Sequence, residues 1–146
     1  MPESTITSSD NNREVALITG ASKGIGAATA EALARTGVHV VLTGRDGKAL
    51  EAVEARIHEA GGTATIAPVD LAEADGIARL ASAIAQRWQR LDTLIINAAL
   101  LPQLTSVAQI DPGAFNRALT VNVLATQALI AGFDPLLRKS ANPRVI

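Results

Sequence analysis

The stretch from Val15 to Arg45 constrains this chain more than any other: an apolar run, a turn with three glycines, an alanine-rich segment and a second apolar run. Val15-Ala16-Leu17-Ile18 is continuously apolar and is closed by Thr19 and Gly20, the pattern of a strand buried on both faces at the centre of a parallel sheet. Gly20 permits a reversal at positive φ, Gly24 lets the main chain approach a bulky anion, and Gly26 lets the next helix lie on the strand without an intervening Cβ. Free amides at that helix start, with the positive end of the dipole, would face a pyrophosphate. The spacing G-x-x-x-G-x-G departs from the commoner G-x-G-x-x-G, so the turn alone also suits a merely structural strand-to-helix connection.

The 146 residues bound a single domain, expected over 15–146 behind a flexible tail at 1–14. An apolar fraction of 48%, with 13 basic against 14 acidic residues, points to a soluble core-forming domain rather than a disordered or nucleic-acid-binding chain. Two Phe and one Trp supply no stacking platform for single strands. The absence of cysteine excludes disulfides, thiolate metal sites and a thiol nucleophile, and His39 and His58 are too few for a metal cluster. The polar start lacks a secretory pattern, and no window approaches the roughly 18 uninterrupted apolar residues of a membrane span. A cytoplasmic protein without membrane or nucleic-acid partners is expected.

Further along, the pattern predicts a helix over 25–36 ended by Gly37, a strand over 38–42, and a helix capped by Asp46 with Leu50, Val53 and Ile57 inward. A third strand follows over 63–69, which Pro68 places towards an edge, with Asp70 at its carboxyl end. A helix over 73–90 and a strand over 92–96 lead to Asn97-Ala98-Ala99. Asp111-Pro112 opens a long helix to about 138 carrying Phe115, Leu119, Val123, Thr126, Ile130 and Phe133, a stripe left uncovered in a chain of this length. Residues 144–146 start a fifth strand. This alternation implies a doubly wound parallel sheet whose ligand sits at the carboxyl ends of the strands, where Ser22, Lys23, Arg45, Asp70 and Asn97 converge.

Thr19-Gly20-Ala21-Ser22-Lys23-Gly24-Ile25-Gly26, Asp70-Leu71, Asn97-Ala98-Ala99 and Val121-Asn122-Val123 together resemble the short-chain dehydrogenase/reductase family over essentially the whole chain from Val15. The resemblance implies a Rossmann-type doubly wound parallel sheet, truncated at the start of strand five, and hydride transfer between a nicotinamide and a carbonyl or alcohol. It carries dinucleotide contacts to Gly20, Ser22, Lys23, Gly24, Ile25 and Gly26, adenine contacts to Asp70 and Leu71, and adenosine-ribose contacts to Asn97, Ala98 and Ala99. It makes Asn122 the active-site asparagine, which in the family holds a water linking the catalytic lysine to solvent. Ile96 and Ala99 depart from the family's Asn-Asn-Ala-Gly.

A carboxylate that selects the adenosine ribose diol would stand at the end of strand two, where this chain has Gly44-Arg45. Arg45 suits a 2′-phosphate bidentately and Lys23 adds a second charge, so NADP(H) is expected over NAD(H). Solvated charges at both positions are the alternative, and an Asp46 carboxylate aimed at the ribose would undercut the preference. The family's serine, tyrosine and lysine belong beyond residue 146, and the chain contains no tyrosine. The implied protein is therefore an NADP-dependent reductase, homo-oligomeric when complete, present as its cofactor-binding half and inactive by itself. A nucleotide- or partner-binding module without catalysis is the alternative. Gly20-Ala21-Ser22-Lys23-Gly24 also fits a hydrolase G-x-S-x-G elbow, but both histidines lie too early in the chain for that triad.

Overall fold

The computed structural model describes residues 12–146. The expected tail lies outside the described residues as far as 11, whereas Arg13 and Glu14 are tied to the sheet. The Arg13 guanidinium donates to Thr63 Oγ1 at 2.9 Å, and the Glu14 carbonyl accepts from the His39 amide at 2.8 Å.

Five parallel strands form one sheet in the order β3-β2-β1-β4-β5: β1 Val15–Thr19, β2 His39–Gly44, β3 Thr63–Pro68, β4 Thr93–Ile95 and β5 Arg144–Val145. The order explains the composition of β1. With a neighbour on each side and helices on both faces, it buries every side chain. Val15 and Leu17 enter one core, with Ile77, Leu80, Ile84, Leu129 and Phe133. Ala16 and Ile18 enter the other, with Ala27, Ala30, Leu50, Val53 and Ile57. Each fully buried aliphatic side chain contributes about 1.5–3 kcal/mol relative to exposure. Pro68 ends β3 on the sheet's edge, as expected.

Helices α1 (Gly24–Arg35) and α2 (Gly47–Glu59) supply the second of these cores. Helices α3 (Gly76–Trp88) and α5 (Ala125–Leu137) supply the first. The third helix starts three residues later than its periodicity suggests, because a turn bonding Glu73 N–H to the Asp70 carbonyl comes first. His58, exposed on α2, also receives the Ala64 amide on Nε2 at 3.4 Å, because α2 returns directly alongside β3.

The long helix begins as α4 (Pro112–Leu119), passes through a π-helical turn at Thr120–Leu124 and continues as α5. Its inward seam is Ala118, Val121, Ala125, Leu129, Phe133 and Leu136, whereas Phe115 is 47% and Val123 57% exposed. The expected stripe thus meets the core only at Phe133, and its upper part faces outward. Pro112–Leu137 is long and apolar enough by length and mean hydropathy to cross a membrane, but it carries Arg117, Asn122 and Asp134 and packs its lower half on α3.

Candidate functional site

Beyond β3 the chain crosses back over β1 to place β4 on its other side, so loops diverge at the carboxyl ends of β1 and β4. Divergence of that kind opens a crevice in doubly wound sheets. A cleft of about 350 Å³ lies there. It is lined from successive strand ends by Gly20, Ser22, Lys23, Gly24 and Ile25, by Gly44 and Arg45, by Asp70 and Leu71, and by Asn97, Ala98 and Ala99.

Local packing fixes the floor. Gly20 has φ +64°, and a Cβ on it would lie 2.9 Å from Ala98 Cα. Thr19 is fully buried, and its hydroxyl donates to the Ile95 carbonyl and accepts from the amides of Asn97 and Ala98, both at 3.0 Å. The Asn97 amide group donates back to the Thr19 and Gly20 carbonyls at 3.2 and 3.1 Å. One hydroxyl and one carboxamide therefore bind the glycine turn to the end of β4.

Gly26 does not line the cleft. It sits behind the turn, where a Cβ would collide with the Gly20 carbonyl oxygen and stand 2.6 Å from Asn97 Nδ2. Its role is to let α1 start close against the glycine turn and the Asn97 side chain. Among the described residues no side chain caps α1, in contrast to α2 and α4, where Asp46 and Asp111 accept from the amides of Ala49 and Ala114. Gly24, at φ +57°, has open space where its Cβ would be. An uncapped helix start behind a glycine without a covering side chain fits a phosphate.

The adenosine end is set by β2 and β3. Gly44 puts no side chain beside Ser22, although a Cβ there would stand in ordinary contact, 3.8 Å from Ser22 Oγ. Asp46 is turned away to cap α2, its Oδ1 receiving Ala49 N at 3.1 Å. No hydrogen bond or ion pair engages Arg45 among the described residues. Asp70 accepts from Ala72 N at 2.9 Å and from Arg117 Nη2 at 2.7 Å. The Ala72 amide first, then the Arg117 hydrogen bond and charge, with a smaller push from Arg45, hold its carboxyl below the ordinary value of 3.8 against the opposing effect of burial.

Asn122 stands in the π turn, outside the cleft lining. Its Oδ1 receives Leu100 N at 2.7 Å and its Nδ2 donates to the Leu100 carbonyl at 2.8 Å, a two-point clamp on the segment after β4. Sequence reasoning missed Arg117 and Thr43 on the cleft wall and the organising role of Thr19. Arg117 had a partial signal, a lone cation five residues before Asn122, but its partner is 47 positions away.

Fold and topology define a Rossmann-like α/β domain. The chain belongs to the short-chain dehydrogenase family of oxidoreductases: the model of the family described as short chain dehydrogenase matches residues 14–146. It is 42% identical over 134 residues to a 3-oxoacyl-[acyl-carrier-protein] reductase of Synechocystis, covering 91% of this chain and 54% of that protein. It is 35% identical over 134 residues to a fatty acyl-CoA reductase of Acinetobacter baylyi, covering 91% and 45%. Among solved structures, a metagenomic short-chain oxidoreductase in complex with NADP superposes with a TM-score of 0.86 at 36% identity, covering 90% of this chain and 60% of that one. The chain spans about half the length of the curated relatives it matches.

Proposed function

We propose that this chain binds NADP(H) across the cleft, as the cofactor-holding part of a cytoplasmic oxidoreductase that acts on a carbonyl or alcohol. The observation that carries the reading is the end of β2, where Gly44 puts no side chain beside Ser22, Asp46 is committed to capping and Arg45 is unengaged. The NADP complex of the metagenomic relative supports it.

When bound, the nicotinamide would supply or accept hydride. The chain's own residues bind and orient. The uncapped amides of α1 would receive the pyrophosphate, and Lys23 and Arg45 the 2′-phosphate. Asp70 and Leu71 would flank the adenine, and Asn97, Ala98 and Ala99 the adenosine ribose. Asn122, by fixing Leu100, would hold the backbone beside the nicotinamide end and position a water for the proton path. With no tyrosine among its residues, the chain by itself should bind without turning over, since a general acid in the transition state supplies about 10²–10⁴-fold.

Isothermal titration with NADP⁺ and NAD⁺ tests the reading. Charge-assisted hydrogen bonds are worth about 1.5–3 kcal/mol each, so Arg45→Ala should weaken NADP⁺ binding by roughly one to two decades and leave NAD⁺ nearly unchanged. An unaltered NADP⁺ affinity in that variant would end the argument.

A further inference from the structure

We propose that Arg117 is a specificity-determining positioning residue of the cleft: by holding the Asp70 carboxylate in its own ion pair, it leaves Arg45 and Lys23 without a hydrogen-bonded carboxylate and able to receive a dinucleotide carrying a 2′-phosphate. The inference rests on the NADP(H) reading and deepens it.

The charged residues lining the cleft are Lys23, Arg45, Arg117 and Asp70, three cations and one anion. Among the described residues Asp70 is the only carboxylate on the cleft lining. It follows β3, directly beside the end of β2, since Val69 N–H donates to the Gly44 carbonyl at 2.9 Å. From there it could pair with either guanidinium. The geometry assigns it to Arg117, at 2.7 Å and with the Asp70 side chain 24% exposed, while Arg45 makes no hydrogen bond or ion pair among the described residues.

Arg117 reaches across from α4, on the far side of the crevice, so the pairing depends on how the long helix passes the carboxyl rim. The surplus is two positive charges, which matches the roughly −1.5 to −2 of a phosphomonoester at neutral pH. Without Arg117 the carboxylate would both repel a 2′-phosphate and compete with it for Arg45. NAD(H) has no such group and should be indifferent to the change.

The test titrates NADP⁺ and NAD⁺ into the full chain, its Arg117→Met and Arg117→Lys variants, and the double variant Arg117→Met with Asp70→Asn. Circular dichroism melts accompany each titration to report folding. Arg117→Met should weaken NADP⁺ about tenfold, the scale of one carboxylate–phosphate repulsion across a partly solvated cleft, while NAD⁺ changes less than about twofold. Arg117→Lys, which keeps the charge, should hold the preference, and removal of the Asp70 charge should restore it in the double variant. Equal loss of both cofactors, or no recovery in the double variant, would assign Arg117 a structural role and overturn the inference while the functional reading stands. A wild-type chain that prefers NAD⁺ would overturn both.

Discussion

Gly24 and Gly26, two residues apart, do different physical work, and single substitutions separate them. At Gly26 an added methyl meets the Gly20 carbonyl and the Asn97 amide, both fixed by packing. Gly26→Ala should therefore cost at least the 1–3 kcal/mol typical of overpacking, about 2 kcal/mol or more. At Gly24 the same methyl meets nothing, and only the positive φ opposes it, at about 1 kcal/mol. Urea melts should rank Gly26→Ala as the more damaging, whereas Gly24→Ala should retain the fold and lose cofactor affinity. Asp70 makes a separate prediction. Its carboxyl is held below its ordinary value, chiefly by the Ala72 amide and Arg117, so the folded chain takes up that proton less readily than the unfolded one. The associated stability is complete above the ordinary pKa near 3.8 and disappears as pH falls through the lower folded value. Melts against pH should show wild type and Asp70→Asn separated at neutral pH and converging at the acid end.

Among the elements, the amino end of the sheet depends on one buried carboxylate. Asp92, 6% exposed, accepts from the Val15 amide at 2.8 Å, from Ser140 Oγ at 2.7 Å and from Arg90 Nε at 3.2 Å. It thereby joins the starts of β1 and β4 to the segment leading into β5. Asp92→Ala strands the Val15 N–H away from water and should cost about 1–3 kcal/mol, seen as a lower urea midpoint with unchanged slope. The long helix has a comparable joint at its π turn, where Asn122 faces Leu100 and clamps the loop after β4. Uninterrupted α-helical periodicity could not have indicated that turn. It also could not have distinguished the inward seam through Val121, Ala125 and Leu129 from the outward stripe through Phe115, Leu119 and Val123, since both recur at helical spacing.

For the whole molecule, the outward stripe should govern behaviour in solution. Phe115, Leu119, Val123 and Ile130 are each more than two-fifths exposed along one face, and Leu101, Leu104 and Val107 are more exposed still. Apolar surface of this extent drives association. Sedimentation velocity should show the chain self-associating with concentration, and Phe115→Glu with Val123→Glu should return it towards a monomer with its melting temperature little changed. A clean wild-type monomer at high concentration would contradict this.

The residues alone determined the order of strands and helices, the buried centre at β1, the edge position of β3 and the glycine turn with its positive φ angles, because these follow from local periodicity and from backbone angles only glycine adopts cheaply. They also brought Lys23, Arg45, Asp70 and Asn97 to one rim, because a parallel sheet sends every strand's carboxyl end the same way. Only the tertiary structure decided that Asp46 turns to a cap, that Asn122 grips Leu100 and that Arg117 claims Asp70. Those pairings depend on the distance and angle at which separately formed elements pass one another, and no spacing along the chain encodes that.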